Sequence, residues 1–367
     1  MLVPRTIFIG GVSRSGTSLL SQLFDGHPQI MCFANEVQFL KMAPRLKKWR
    51  SDPEQFLWHM LGVPFDYERD EKLLPTVSID PDKNLKLHGP WRAIVNHSPD
   101  PEADRMHLLS LIKQGADDRE LFLSLAEIYA KHVSHSTGKF DRILEKTPGN
   151  EFHFQRYLKL FPKTSFIHLI RDPIDNLRSR VSRSGKIEAK KVSWLGVVNM
   201  MFEWKRSLVT GLKNYRLAPE NYFLLRYEDL VSNPAPILEK LASRLEIEFD
   251  PILLKQTSEG GQLLMKNIGH EKIDRVAGEI DAKALETDSV QILGEELTAS
   301  AAAVLGSSYN LAGYHKYDEH FRNRFSQLAR RHPQETWKQW GMRMPLSVLY
   351  NNWRIRALWD PKALINY

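Results

Sequence analysis

Thr6-Ile7-Phe8-Ile9-Gly10-Gly11-Val12-Ser13-Arg14-Ser15-Gly16-Thr17-Ser18-Leu19-Leu20 is the stretch on which the fold turns. The apolar run ending at Ile9 reads as a buried strand, Gly10 and Gly11 allow a tight turn with few side chains in the way, and a helix begins near Thr17. The backbone amides of Arg14 to Ser18 then point at one spot. The first turn of a helix has unpaired N–H groups at the positive end of its dipole, so a phosphate seated there is stabilised without a metal ion. Glycines in such a turn also serve plain strand-on-helix packing, and other parts of the chain must decide between the two.

Gly11 and Gly16 have the spacing of the P-loop, G-x-x-x-x-G-K-[ST], but Thr17 stands at the lysine position. A kinase or nucleoside triphosphatase needs that lysine against the β- and γ-phosphates, and here the only cation of the loop is Arg14. A ligand with one 5′-phosphate and an attached leaving group suits this loop better. A metal-dependent kinase of small molecules and a non-catalytic nucleotide-binding protein remain as the other classes.

A second constellation lies far along the chain. Phe166-Ile167-His168-Leu169-Ile170 is another apolar strand, followed by Arg171-Asp172-Pro173-Ile174-Asp175-Asn176-Leu177-Arg178-Ser179. Pro173 fits a helix start, Asp172 can cap it, and Ser179 falls two turns along. Arg171 and Ser179 can therefore converge on one anion, although alone they also read as a surface arginine and a solvated serine.

Together these residues resemble the sulfotransferases that use 3′-phosphoadenosine 5′-phosphosulfate. Arg14-Ser15-Gly16-Thr17-Ser18 is similar to their 5′-phosphosulfate loop, and Arg171 with Ser179 matches their 3′-phosphate motif. Glu145-Lys146-Thr147-Pro148 resembles a Lys-Thr-Pro segment between those motifs, and Arg226-Tyr227-Glu228-Asp229-Leu230 a later Tyr-Glu-Asp-Leu. The likeness runs from about Arg5 to Tyr314 and is nearest to the bacterial and Golgi-type branches, tyrosylprotein and carbohydrate sulfotransferases included.

The resemblance implies roles. Arg14 and Lys146 are the candidate cations for the charge that spreads over the moving sulfuryl group. Arg14, Ser15, Gly16, Thr17, Ser18, Arg171, Ser179 and Tyr227 form the expected nucleotide site, with Tyr227 at the adenine and no metal. Glu36 is the expected base for the acceptor hydroxyl, because related enzymes carry a glutamate soon after the second strand. Counted without gaps against the tyrosylprotein branch, Asn35 takes that position and Glu36 comes one residue late. His88 and His97 are the reserve candidates. A late cofactor-covering loop is expected between Gly260 and Arg275, with Lys266, Lys272 and Arg275 as phosphate contacts. The acceptor is a hydroxyl of a carbohydrate or glycolipid, or of a tyrosyl or other phenolic group, and no nucleic acid is involved.

Composition agrees with one large enzyme domain: 367 residues of which 42% are hydrophobic can bury a substantial core. Interleaved strands and helices argue an α/β, three-layer, P-loop-like fold with a central parallel sheet flanked by helices. Cys32 is the only cysteine, which precludes an internal disulfide and suits a reducing compartment. The chain has no long apolar run, and its first strand leaves no room for a signal peptide. A cytoplasmic enzyme of the bacterial type, or a chain without its anchor, is expected.

Helices are expected at Ser18 to Asp25, Glu120 to His132, Phe152 to Phe161, from Trp194, and after Pro234. Strands are expected at Ile30 to Phe33, Arg142 to Glu145 and Tyr222 to Leu225. Residues 41–136 read as Pro-containing loops, around Pro64, Pro75, Pro81 and Pro99, ending in the helix at Glu120; this variable segment is expected to line the acceptor site. The catalytic domain is expected over 1–320. Residues 321–367 form a helical, basic extension: from Arg322 to Tyr367 nine Lys or Arg face two acidic residues, so this stretch carries a charge equal to the whole chain's +7. Trp337, Trp340, Trp353 and Trp359 lie in it, a mixture that suits a membrane interface or an anionic glycan, or else a packed helical tail.

Overall fold

A computed structural model describes residues 4–61, 89–133, 140–183, 192, 194–264, 278–306 and 308–317. Strand β1 (Arg5–Gly10) leads to helix α1 (Thr17–Phe24) and β2 (Ile30–Cys32). Five helices follow: α2 (Phe39–Leu46), α3 (Pro53–Met60), α4 (Pro90–His97), α5 (Pro101–Lys113) and α6 (Asp118–His132). Next come β3 (Arg142–Lys146), α7 (Phe154–Leu160), β4 (Ser165–Ile170), α8 (Pro173–Arg183), α9 (Trp194–Leu217), β5 (Tyr222–Arg226), α10 (Tyr227–Ser232) and α11 (Pro234–Leu245). A short hairpin of β6 (Thr257–Ser258) and β7 (Gln262–Leu263) precedes α12 (Lys283–Glu286), α13 (Ser289–Leu305) and α14 (Ser308–Leu311).

The sheet is parallel, in the order β2-β3-β1-β4-β5, and flanked by helices, as the sequence predicts. Its strands are buried along nearly their whole length, which is the condition of a parallel sheet covered on both faces. β1 pairs with β3 so that Ile9 lies opposite Lys146, and β2 pairs with β3 so that Cys32 lies opposite Leu144. β1 is central in this order, with later strands on either side of it. Open α/β sheets bind ligands beyond the carboxyl end of such a strand, where the Gly10-Gly16 turn departs.

The chain divides into two compact units: Met1–Gly10, Thr17–Phe166 and Leu241–Ile280 make the first, and Gly11–Gly16, Ile167–Lys240 and the described residues from Asp281 onward the second. The core of the first unit is aromatic. The Phe8 and Tyr157 rings stack with centroids 4.4 Å apart, Phe122 lies edge-on to Phe161 at 5.5 Å, and Phe33 meets Tyr129 at 4.9 Å. α6 supplies Phe122 and Tyr129, and its start is fixed by a capping box in which Asp117 accepts from the Glu120 amide and Glu120 from the Asp117 amide.

The stretch read as Pro-containing loops holds four further helices, α2 to α5. α3 and α5 each begin with proline, at Pro53 and Pro101, behind an aspartate whose carboxylate accepts from the first-turn amides: Asp52 from Gln55 N at 3.1 Å and Asp100 from Ala103 N at 3.0 Å. Proline at the first helical position lacks only an N–H that the helix would leave unpaired, so these prolines start helices instead of breaking them. Pro64, Pro75 and Pro81 lie outside the described residues.

In the second unit α9 packs on α13 and α8, and Trp204 of α9 donates its indole N–H to the Arg171 carbonyl at 2.9 Å. His168 on β4 is held between the Tyr222 hydroxyl (2.8 Å) and Ser207 Oγ (3.0 Å). Gly211 makes room for it, since a Cβ there would come within 2.3 Å of the imidazole. Among the described residues no helix is long and apolar enough to cross a membrane.

Candidate active site

The second unit holds Arg14, Ser15 and Gly16 of the glycine loop and the whole of the second anion motif. Arg14 has a left-handed backbone (φ 72°), which turns its carbonyl toward the Arg171 guanidinium; Arg171 Nη1 donates to it at 3.2 Å. A non-glycine residue in this conformation costs free energy that the surroundings must offset, and such positions concentrate at functional sites. Arg14 Nε in turn donates to Ser179 Oγ at 3.1 Å. Residues 14, 171 and 179, far apart in sequence, thus form one cluster.

Three further features shape it. Gly16 (φ 95°) lies so close to Tyr227 that a Cβ would stand 2.4 Å from the ring, so the loop needs glycine on grounds of space and of backbone angle alike. The Tyr227 ring is buried and carries the Arg171 guanidinium over its face at 4.3 Å. Asn176, fully buried, donates its amide to Ser13 O (3.0 Å) and Ser15 Oγ (3.2 Å), tying α8 to the loop. Arg171 itself is 6% exposed, and its Nε has no hydrogen-bond partner among the described residues. A buried cationic donor left unpaired is costly unless an anion completes it.

Asp172 caps α8 as expected, accepting from Ile174 N (2.8 Å) and Asp175 N (3.2 Å) and from the Tyr309 hydroxyl (2.8 Å). Burial, with the neighbouring carboxylates of Asp175 and Glu228, pushes the Asp172 carboxyl up to about 7. Asp175 accepts from the Tyr317 hydroxyl (2.6 Å), Ser289 Oγ (2.5 Å) and Lys316 Nζ (3.1 Å).

The first unit holds a carboxylate and a lysine. Lys146, the last residue of β3, reaches Glu36 Oε1 at 3.2 Å; its own side chain is 7% exposed while that of Glu36 is 35% exposed. Gln38, with φ 51°, donates its side-chain amide to Glu36 Oε2 at 3.3 Å. The segment carrying Glu36 is pinned from below by Glu145, which accepts from Val37 N (3.3 Å), Thr147 Oγ1 (2.5 Å) and Asn150 Nδ2 (2.6 Å). Burial pushes the Glu145 carboxyl above its ordinary range. Thr147 Oγ1 also accepts from Gln38 N at 3.4 Å, and Asn150 also donates to the Ile9 carbonyl at 3.1 Å. A half-exposed carboxylate beside a buried ammonium is of the chemical type that can accept a proton from a hydroxyl.

Of the expected site residues, Arg14, Ser15, Gly16, Arg171, Ser179 and Tyr227 fall in the second unit, and Glu36, Lys146, Thr17 and Ser18 in the first. Thr17 and Ser18 open α1, the threonine buried and the serine exposed. His97 on α4 is engaged by Glu259 at 3.1 Å. His88, Lys266, Lys272, Arg275 and residues 321–367 lie outside the described residues. Asn176 and Glu145 were missed by sequence reasoning, though each sits inside a motif it had quoted. An amide or carboxylate next to a motif signals nothing until its burial is known.

The family model for the sulfotransferase family matches residues 4–251. Protein-tyrosine sulfotransferase 1 of Danio rerio is 22% identical over 288 residues, covering 78% of this chain and 62% of its own. The omega-hydroxy-beta-dihydromenaquinone-9 sulfotransferase of Mycobacterium bovis is 24% identical over 272 residues, covering 65% of this chain and 62% of its own. The chain therefore spans less than two thirds of the length of either relative. The solved sulfotransferase domain from the curacin biosynthetic pathway shares the fold, with a TM-score of 0.55 at 18% identity over 86% of this chain and 99% of that one.

Proposed function

Because the chain belongs to the sulfotransferase family, we propose that it moves a sulfuryl group from 3′-phosphoadenosine 5′-phosphosulfate to a hydroxyl acceptor. The observation that carries this reading is the convergence of Arg14, Arg171 and Ser179, with hydrogen bonds of 3.1 and 3.2 Å joining motifs that start from different strands. A dianionic 3′-phosphate fits the Arg171 guanidinium, which has a buried N–H to spare, together with the Ser179 hydroxyl, while Arg14 belongs to the 5′-phosphosulfate loop. The amides of the Arg14-Ser18 loop and helix start take the 5′-phosphosulfate end.

In the proposed reaction Glu36 accepts the proton of the acceptor hydroxyl. The hydroxyl oxygen forms a bond to sulfur as the bond from sulfur to the bridging phosphate oxygen breaks in line, and adenosine 3′,5′-bisphosphate leaves. Arg14 and Lys146 offset the charge that develops on the sulfuryl and bridging oxygens. Residues 1–320 are proposed as the catalytic domain, 41–136 as its acceptor-lining part, and 321–367 as an extension that brings it to an anionic surface.

Turnover tests the reading. Sulfur-labelled donor is supplied with three hydroxyl classes: a tyrosine peptide, a lipid with a terminal hydroxyl, and an oligosaccharide. Label should pass to at least one class, and Glu36→Gln should lower that rate by about two to four orders of magnitude. Donor binding without transfer to any class would leave a nucleotide-binding protein and contradict the enzymatic reading.

A further inference from the structure

We infer that Asn176 is a positioning residue for the 5′-phosphosulfate loop, holding the peptide between Ser13 and Arg14 so that the loop can receive the 5′ end of the nucleotide; the inference rests on the proposed donor. Asn176, on α8, stands in sequence between Arg171 and Ser179, the two residues proposed for the 3′-phosphate, and is wholly buried. Its amide nitrogen gives both hydrogens to the loop, one to the Ser13 carbonyl at 3.0 Å and one to Ser15 Oγ at 3.2 Å. Its Oδ1 has no hydrogen-bond partner among the described residues, so the donor end is the one the fold uses.

Carbonyl oxygens repel an anion, so a loop that is to hold one must turn its carbonyls elsewhere. Three successive carbonyls are held in this way: Val12 O accepts from Ser15 N at 3.2 Å, Ser13 O from Asn176, and Arg14 O from Arg171 Nη1 at 3.2 Å. A trans peptide is planar with its N–H opposite its C=O, so fixing the Ser13 carbonyl also directs the Arg14 N–H away from Asn176. The same peptide leads into the left-handed backbone of Arg14 (φ 72°), a conformation that needs support from its surroundings. Ser15 Oγ, accepting from Asn176, keeps its own hydrogen to donate. Arg171 and Ser179 also hold Arg14, at its carbonyl and at Nε, but both are proposed ligands of the 3′-phosphate. Among the described residues the Asn176 side chain bonds to the loop alone, and its effect can therefore be separated from theirs.

Titration calorimetry on the full chain separates the possibilities, with adenosine 3′,5′-bisphosphate, adenosine 5′-monophosphate and adenosine 3′-monophosphate as probes. Asn176→Ala should weaken the two probes that carry a 5′-phosphate about tenfold and the 3′-monophosphate by no more than about twofold, because only the former use the loop. Asn176→Asp, which keeps the shape but turns an acceptor toward the Ser13 carbonyl, should weaken the same two probes at least as much. Wild-type affinity in Asn176→Asp would mean that shape and not donation holds the loop, and would overturn the inference. Should Asn176→Ala not fold, the same ratio read in Asn176→Asp decides. Equal weakening of all three probes would mean a purely structural asparagine, and three unchanged affinities would remove Asn176 from the support of the loop; either overturns the inference alone. A wild-type chain that binds the bisphosphate no better than the 5′-monophosphate would overturn the donor assignment itself.

Discussion

At the scale of residues, two buried groups of the second unit give its stability a definite pH dependence. Asp172 titrates near 7 when folded because burial and neighbouring carboxylates oppose its charge, against an ordinary value of 3.8. Between those values the folded chain holds a proton that the unfolded chain has lost, so stability falls as pH rises toward 7. Lys205 is buried, donates to the Val304 carbonyl at 2.9 Å, and is pushed down by burial from 10.5 to about 7. Above 7 the unfolded chain holds the proton that folded Lys205 has released, so stability rises with pH. The two contributions together make a minimum near neutrality. Urea midpoints measured from pH 5 to 9 should show Asp172→Asn flattening the acid limb and Lys205→Met the alkaline one. A limb unchanged in its variant would detach that residue from the effect. Gly16→Ala is a third residue-scale case: its Cβ would meet the Tyr227 ring at 2.4 Å on a backbone of φ 95°. The cost expected is about 1–3 kcal/mol of stability together with weakened bisphosphate binding, read from the same urea curves and a titration.

At the scale of elements, caps decide where helices stand. Asp117→Ala should cost about 1 kcal/mol by removing the acceptor of two first-turn amides of α6, and Asp100→Ala a similar amount at α5. Thermal unfolding checks both; no shift in either would mean that tertiary packing alone sets these ends. The same caps explain what could be read in advance. β1, α1, β4 and α8 were legible because an apolar run, a glycine turn or an Asp-Pro pair marks each boundary. α6 was legible from Leu121, Leu125, Ile128 and Tyr129, all buried, although Asp117 starts it earlier than Glu120. α3 and α5 carried the signal Asp-Pro-Glu, at Asp52-Pro53-Glu54 and Asp100-Pro101-Glu102, yet both lie in the stretch read as Pro-containing loops. In the site, charged members of motifs announced themselves, whereas Asn176 and Glu145 owe their roles to burial and to partners contributed by other segments.

At the scale of the whole molecule, the excess of positive charge lies at the carboxyl end, where Arg322 to Tyr367 equals the chain's net +7. If this extension guides the enzyme to an anionic acceptor, binding of the full chain to anionic vesicles or a sulfated polysaccharide should fall steeply with salt, since screening acts over about 10 Å at 0.1 M. Replacing Arg330, Arg331, Arg354 and Arg356 by Gln should flatten that dependence and leave bisphosphate affinity unchanged; an unaltered salt slope would move the contact elsewhere. The donor decides the larger question, because a sulfotransferase and a kinase can share a glycine loop but not a nucleotide. The most direct measurement is calorimetric titration of the purified chain in chelator with adenosine 3′,5′-bisphosphate, set beside titration with ATP and Mg²⁺. Saturating bisphosphate binding that needs no metal, lost in large part in Arg171→Ala, is the result predicted, with a stabilisation of roughly 2.7 kcal/mol at a hundredfold excess over Kd. Tight binding of ATP with Mg²⁺ and none of the bisphosphate would contradict it.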